Sequence, residues 1–257
     1  MSRKVQLVVC LPSYNEAGNL LNLIRDIHEV IPHAMILVVD DGSADATADI
    51  ARKCAETMNV VLAQHQFNMG LGQAYRTAFK NALDFVRDDG FVMIMDADGT
   101  HRPEQIPDLI RKAEAGTDLV VAGRYIKGST VTGVPYYRMI LSRGVRMLSR
   151  MLLGKQAVKD VSSGYRLYKA SLIRQAQQAY GDQLIVSNGF TVTIELLVKM
   201  KRIGARIDQI PLILRYDMKK GPSKIRIKRT IVQYLHLFCH LALTHPQIGH
   251  STSREQR

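Results

Sequence analysis

The sequence predicts an α/β fold in which a mostly parallel, Rossmann-like sheet carries helices on both faces. Short apolar runs rich in valine alternate with longer amphipathic segments as far as Gly123. Apolar runs without polar alternation are typical of strands buried on both faces, and their alternation with helices is typical of parallel sheets. Ligands of such sheets bind beyond the carboxyl ends of the strands, so residues that follow each run are the first site candidates.

Each predicted element has its own local signal. The apolar runs predict strands at 5–12, 34–43, 59–64, 90–98 and 117–123. Apolar residues at helical spacing, bounded by proline or glycine, predict helices at 15–30, 44–58, 71–87 and 103–115. Ser43 is expected to cap the second of these helices.

The alternation ends after Gly123. We predict a loop at 124–137, a basic amphipathic helix at 138–154, a helix at 190–204, a strand at 205–216 and a last helix from about 225 to 244. The apolar stretch 231–244 is shorter than the roughly 20 residues that span a bilayer. We therefore expect one domain over 1–224, followed by an amphipathic helix and a polar tail over 225–257.

The 257-residue chain has a formal net charge of +12 and a pI near 9.7, which indicate an anionic partner. Its basic stretches contain aliphatic rather than stacking aromatic residues, and no nucleic-acid-binding motif occurs, so we expect no nucleic acid partner. Steep salt dependence of binding to arbitrary DNA would revive that alternative. The cysteines are widely spaced and the N-terminus does not resemble a signal peptide, so we expect a cytoplasmic protein.

Two acids end the apolar run in "VMIMDADGTHRPEQ". On an extended backbone, Asp96 and Asp98 point to the same side. Two carboxylates so placed favour a divalent ion, Mg²⁺ or Mn²⁺, which leaves coordination positions open to phosphate oxygens. The alternative is a solvated turn whose acids cap the following helix.

Other strand ends carry polar residues that could line the same crevice. Asp40 and Asp41 are placed to hydrogen-bond a base or a ribose. The glycine-rich "NMGLGQA" opens a helix as phosphate-binding loops do, although it matches neither the dinucleotide nor the ATP-binding fingerprint. The candidate nucleotide contacts from these segments and from the first strand end are Pro12, Tyr14, Glu16, Asp40, Asp41 and Gly72.

Several motifs together carry a family resemblance. They are "LPSYNEAGNL", "VVDDGSADAT", "NMGLGQA", "MDADGTHRPEQIP", "GRYIKG", "DVSSGYRLYK" and "IPLILRY…GPSK", in this order. The set resembles the family 2 glycosyltransferases of GT-A fold, especially those that move a sugar from a nucleotide onto a polyprenyl (dolichyl or undecaprenyl) phosphate. The resemblance covers about 7–224 and implies a catalytic domain over 1–224 that transfers a hexose, mannose being favoured, with inversion.

The resemblance also implies roles for single residues. Asp96 and Asp98 would hold Mg²⁺ or Mn²⁺ on the donor diphosphate. The residues implied to contact the donor nucleotide are Pro12, Tyr14, Glu16, Asp41, Asp96 and Ala97. Contacts to the reacting phosphates are implied for Asp98, Arg124 and Arg215, and contacts to the acceptor phosphate for Ser163, Arg166 and Lys224. The chain has three more residues between Arg215 and Gly221 than the family pattern, so either Arg215 or Lys219 could reach the diphosphate.

A phosphate acceptor is already anionic, so transfer needs no strong general base, in agreement with the lack of a recognisable catalytic histidine. The helix predicted at 138–154 interleaves Arg138 and further arginines with aliphatic residues, so Arg138 is a further candidate contact of the acceptor phosphate. This composition suits an anionic membrane surface, and a core-packing face is the alternative. Glu195 could be a functional acid or lie on a helix surface.

The implied partners are a nucleotide sugar, GDP-mannose or UDP-glucose, a polyprenyl phosphate and the cytosolic face of a membrane. A small membrane-anchoring subunit or a homo-oligomer could assist attachment. The alternative function keeps the donor but uses a soluble or lipid-linked saccharide as acceptor.

Overall fold

A computed structural model describes residues 4–133, 158–216 and 227–243. The strands in this part are β1 Val5–Ser13, β2 Met35–Asp40, β3 Val60–Gln64, β4 Val86–Ile94, β5 Leu119–Gly123, β6 Thr130–Thr132, β7 Arg166–Lys169, β8 Ile207–Pro211 and β9 Ile213–Arg215. The helices are α1 Ala17–Val30, α2 Thr47–Ala55, α3 Leu71–Phe85, α4 Ile106–Glu114, α5 Ala170–Tyr180, α6 Val192–Arg202 and α7 Ile227–Leu243.

The main sheet has seven strands in the order β3-β2-β1-β4-β7-β5-β8. Neighbouring strands are parallel except at β7, which is antiparallel to both β4 and β5. The predicted mostly parallel sheet with helices on both faces is therefore confirmed. Because β7 starts beside the end of β4, with Arg166 opposite Ile94, the segment before β7 lies at the carboxyl edge of the parallel strands.

Each face of the sheet is covered by its own apolar cluster. Along β1, Val8 and Cys10 face one cluster, whereas Leu7, Val9 and Leu11 face the other. The first cluster packs against α3, α5, α6 and α7, and the second against α1, α2 and α4. Burial on both faces explains why the central strands carry uninterrupted apolar runs.

Several predicted boundaries differ from the structure. β4 begins directly after α3 and ends at Ile94, so Asp96 and Asp98 lie in the following turn and the expected extended geometry is wrong. The strand predicted at 205–216 is two strands, because β8 joins the main sheet while β9 pairs with β6 in a separate two-stranded sheet. The predicted helix 138–154 lies outside the described residues.

Three smaller findings concern single residues and the membrane. Ser43 does not cap α2, because its hydroxyl donates to Oδ1 of Asp40 and α2 begins three residues later than predicted, at Thr47. All three cysteines are free thiols, as their spacing predicts. Across the described ranges, no helix combines the length and the hydropathy needed to span a bilayer.

Candidate active site

The site is built from the loops that follow the carboxyl ends of the parallel strands. The loops after β1 and β2 bind each other through reciprocal bonds. The backbone N–H of Asn15 donates to Ser43 Oγ at 2.8 Å, and the N–H of Ala44 donates to Asn15 Oδ1 at 2.9 Å. The N–H of Glu16 donates to Thr47 Oγ1 at 2.9 Å. The predicted nucleotide residues of both loops therefore lie on one wall.

Within this wall the predicted residues differ in exposure. Pro12 and Tyr14 are half-buried, whereas Glu16 is buried and accepts a bond from Asn19 Nδ2 at 3.0 Å. Asp40 is fully buried, and its Oδ2 has no hydrogen-bond partner in the part of the chain that the structure describes. A buried oxygen of this kind needs a donor. Its contact with a base or ribose stays a prediction.

Asp41 organises the start of α3. Its carboxylate accepts the N–H groups of Met69 at 2.9 Å and Gly70 at 2.8 Å, and Nδ1 of His65 lies 2.7 Å from Oδ1. Gly72 is the second residue of the same helix and lies close to Ser187. A Cβ at position 72 would lie 1.6 Å from the Ser187 carbonyl oxygen. Both residues thus shape the glycine-rich loop, and their contact with the nucleotide stays a prediction.

The turn after β4 presents the carboxylates of Asp96 and Asp98, and we call this segment, Asp96-Ala97-Asp98, the DxD turn. Asp98 Oδ1 accepts the N–H of Thr100 at 3.2 Å and its hydroxyl at 2.7 Å, while Ala97 between the two acids is buried. The side chain of Asp96 is 47% exposed, and a Cβ added to Gly164 would come within 2.9 Å of its Oδ1. The glycine of "DVSSGYRLYK" therefore leaves room for the first carboxylate.

Sequence reasoning missed a histidine in this turn. The N–H of Asp96 donates to Nδ1 of His101 at 3.2 Å, and the ring of His101 is 4% exposed. The only signal in the sequence is its place directly after "DADGT".

Arg124 forms a buried pair with Asp160. Its Nε and Nη2 each donate to the carboxylate at 2.7 Å, and Nη2 also donates to Ser162 Oγ at 2.7 Å. Burial by itself raises the pKa of Asp160, but the charge and hydrogen bonds of Arg124 outweigh it and hold that pKa below its ordinary value. The charge and hydrogen bond of Asp160 likewise raise the pKa of Arg124, against the lowering effect of burial. Both groups therefore stay charged.

Arg166 is turned into the interior. Its side chain is fully buried, with Nε donating to the Ser163 carbonyl at 2.8 Å and Nη2 to that of Val161 at 2.7 Å, while Nη1 donates to that of Thr193. The guanidinium thus ties the segment before β7 to α6. Direct contact with an acceptor phosphate stays a prediction, and it would require the guanidinium to leave these carbonyls.

Arg215 reaches the DxD turn, because its N–H donates to the carbonyl of Thr100 at 3.1 Å. Ser163 is buried beside the same turn, in the segment that holds Gly164. Arg138, Lys219 and Lys224 lie outside the described residues, so their predicted contacts are not placed.

Glu195 is fully buried, so its interpretation as a helix-surface residue is wrong. Its carboxylate accepts the N–H of Val186 at 3.0 Å and that of Ser187 at 2.9 Å, and it pairs with Lys199. This is the loop that packs on Gly72. Amphipathic periodicity alone could not identify the acid as buried, since the two N–H groups that it binds belong to a loop outside the helix.

The last helix also reaches the site. A Cβ on Gly189 would lie 2.6 Å from Gln233 Oε1. Burial raises the pKa of Tyr234 to about 12, with smaller opposing effects from the nearby charges of Arg124 and Asp160.

The chain is similar to enzymes of one group. It is 33% identical over 220 residues to polyprenol monophosphomannose synthase of Mycolicibacterium smegmatis, covering 85% of this chain and 80% of that relative. It is 31% identical over 222 residues to undecaprenyl-phosphate mannosyltransferase of Micrococcus luteus, covering 86% of this chain and 88% of that relative. It is 32% identical over 234 residues to dolichol-phosphate mannosyltransferase of Pyrococcus furiosus, covering 90% of this chain but only 62% of the relative.

Solved structures show the same GT-A fold. Glucosyl-3-phosphoglycerate synthase from Mycobacterium tuberculosis, solved with Mn²⁺, UDP-glucose and phosphoglyceric acid, aligns with a TM-score of 0.65 at 21% identity, covering 92% of this chain and 80% of that one. The UDP complex of S. aureus TarS 1-349 aligns with a TM-score of 0.60 at 19% identity, covering 94% of this chain and 66% of that one. Residues 8–176 match the model of glycosyl transferase family 2, and with these relatives the match shows that the chain is a glycosyltransferase belonging to that family.

Proposed function

We propose that the chain transfers mannose from a nucleotide sugar, GDP-mannose being the favoured donor, to a polyprenyl phosphate, with inversion at the anomeric carbon. The observation that carries the proposal is the similarity, over 85–90% of this chain, to three enzymes named for mannose transfer to a polyprenyl phosphate or synthesis of its product. The carboxyl-edge site supports it, because Asp96 and Asp98, the Arg124–Asp160 ion pair and the glycine-rich start of α3 all lie at the carboxyl edge of the sheet.

The donor set of the DxD turn fits a divalent ion. Asp96 and Asp98 offer the carboxylate oxygens that Mg²⁺ and Mn²⁺ prefer, and Gly164 keeps the space beside Asp96 clear. When bound, such an ion would stabilise the charge that develops on the leaving diphosphate. Arg215 would share that task, which is supported by the bond of its backbone N–H to the Thr100 carbonyl, and the charge of Arg124 is maintained by Asp160.

The acceptor needs a binding place rather than a base. A phosphate monoester is anionic near neutral pH, so its oxygen can attack the anomeric carbon without giving up a proton to the protein. Positive charge from Arg124, together with Arg138 and Lys224 in segments that start from the same edge, would hold it. Ser163 and Arg166 shape the loop in which this phosphate would lie.

A lipid acceptor requires contact with a membrane surface. Large exposed apolar side chains follow the carboxyl ends of the strands or lie beside the start of α3, namely Phe67, Met69, Val131, Phe190 and Ile213. In the sequence, the basic segments 134–157 and 217–226 follow shortly after Val131 and Ile213. Apolar and basic residues together favour an anionic membrane interface, and we propose peripheral attachment to the cytosolic face. An anchoring subunit or a second copy could strengthen it.

The test measures radiolabel carried from GDP-mannose or UDP-glucose into the organic phase with polyprenyl phosphate and Mn²⁺. We expect label from GDP-mannose, lost on chelation of the metal. Asp98→Asn is the matched control: the amide keeps an oxygen for Thr100 but removes the charge, so we expect unchanged folding and at least about 100-fold slower transfer.

The outcomes separate the alternatives. Transfer that survives both chelation and Asp98→Asn would contradict the metal-dependent mechanism. Binding of the nucleotide sugar without any label in the organic phase would contradict the lipid acceptor and support a saccharide acceptor instead.

A further inference from the structure

The ring of His101 faces both the main chain and the side chain of the first DxD residue. Its Nδ1 accepts the backbone N–H of Asp96 at 3.2 Å, and its Nε2 lies 3.8 Å from Asp96 Oδ2. The ring is 4% exposed, whereas the carboxylate beside it is 47% exposed. A buried ring thus borders an accessible carboxylate.

The ring has little freedom to move. The backbone of His101 forms an antiparallel bridge with Leu214. Its imidazole stacks on Tyr165 with 4.8 Å between ring centroids and 16° between planes, and the Tyr165 hydroxyl donates to the Arg102 carbonyl at 2.9 Å. Rotation of the ring would break the stacking and the bond to Asp96 together.

The hydrogen bonds determine the tautomer. Because Nδ1 accepts an N–H, it carries no proton, and the neutral ring therefore carries its proton on Nε2. A protonated Nε2 then faces the carboxylate of Asp96, 3.8 Å from Oδ2, as a charge-complementary neighbour, and it has no lone pair for a metal ion. The geometry suits a residue that orients a metal ligand rather than a ligand itself.

We propose that His101 is a positioning residue that holds Asp96 in the orientation needed to bind the donor's divalent ion. The inference rests on the proposed function, since it assumes that ion. The two residues after "DADG" then each orient one acid. Thr100 donates two hydrogen bonds to Asp98 Oδ1, and His101 accepts the backbone N–H of Asp96 with its Nε2 beside the Asp96 carboxylate.

His101→Phe tests the inference, because the phenyl ring keeps the stacking on Tyr165 and removes both ring nitrogens. Mn²⁺ is titrated into the full chain saturated with GDP or UDP, free Mn²⁺ is followed by electron paramagnetic resonance, and folding is checked by circular dichroism. We expect Mn²⁺ to bind about 10- to 100-fold more weakly to the folded variant. His33→Phe, at an exposed histidine between α1 and β2 on the opposite edge, should bind Mn²⁺ as the wild type does.

Two amide variants keep the test decisive if His101→Phe does not fold. His101→Asn keeps an acceptor near Nδ1 and His101→Gln keeps a polar group near Nε2, so each should bind Mn²⁺ more weakly than the wild type. Wild-type affinity in folded His101→Phe, or in both amide variants, would overturn the inference. If the wild type binds no Mn²⁺ with either nucleotide, the metal proposal itself fails, and the role of His101 with it.

Discussion

The two edges of the main sheet use charged side chains differently. At the carboxyl edge, Asp41, Asp98 and Glu195 accept backbone N–H groups of loops, and Asp160 accepts the N–H of Arg124 as well as its guanidinium. At the amino edge, Asp118 accepts the backbone N–H of Arg206 at 2.9 Å, directly before β8, and pairs with Lys169 Nζ at 2.9 Å and Arg206 Nε at 3.3 Å. The Arg206 side chain is 69% exposed. Carboxylates at the first edge determine loop geometry, whereas the second edge mainly ties strand ends together.

The charged groups of the two edges should also contribute differently to the free energy of unfolding. An exposed ion pair contributes at most about 1 kcal/mol, because water screens it. A buried carboxylate that loses its charge leaves its partners unsatisfied, which costs several times more. Substitutions of the buried carboxyl-edge acids Asp160 and Glu195 should therefore lower both stability and transfer activity, and those at the amino edge only stability.

The largest effect is expected for Asp160→Asn. Asp160 is 1% exposed, and the substitution removes the negative charge that pairs with the guanidinium of Arg124, whose side chain is 19% exposed. We expect the free energy of unfolding to fall by about 3–5 kcal/mol and transfer to slow at least about 10-fold. Urea denaturation followed by circular dichroism measures the free energy of unfolding, and the organic-phase assay measures the rate of transfer. A loss of stability below about 1 kcal/mol would remove the proposed difference between the edges.

A smaller effect is expected for Glu195→Gln. The amide can accept at one oxygen only, so the Val186 and Ser187 N–H groups and Lys199 compete for it. We expect a loss of about 2 kcal/mol and faster hydrogen exchange at these two amides. Lys199→Met serves as the comparison, because it removes the cation and leaves the carboxylate on the loop. Unchanged exchange in Glu195→Gln would show that the loop does not depend on the acid.

The smallest effect is expected for Asp118→Asn at the amino edge. We expect a loss of about 1 kcal/mol, after allowance for solvent screening, with transfer activity unchanged. Slower transfer in this variant would contradict the separation of the two edges.

The pH dependence of the same variant supplies a second measurement. Burial raises the pKa of Asp118, but its bonds to Arg206 and Lys169 outweigh this and lower the pKa from 3.8 to about 2. A depressed pKa contributes stability that is present above the ordinary value and is lost as pH falls towards the folded value. The stability difference between wild type and Asp118→Asn should therefore shrink from pH 4 towards about 2. A difference that grows over this range would refute the assigned sign.

Much of the fold follows from local pattern. Uninterrupted apolar runs identified β1 to β5, and their alternation with amphipathic segments predicted parallel strands with helices on both faces. β7 was not recognised, because Arg166–Lys169 is a four-residue strand that contains two basic residues. Its antiparallel pairing with β4 and β5 involves residues more than 40 positions away.

The sequence by itself determined the order of the motifs, the acids after the strands and hence the family, since these features depend on residue identity and spacing. Only the tertiary structure decided which charges are buried. From the sequence, Arg166 was expected to contact the acceptor phosphate and Glu195 was a candidate for a helix surface, but each is buried and bonded to backbone groups of another segment. The structure also placed His101 beside Asp96 through its stacking on Tyr165. A hydrogen bond depends on distance in space, and periodicity along the chain carries no information about partners from distant segments.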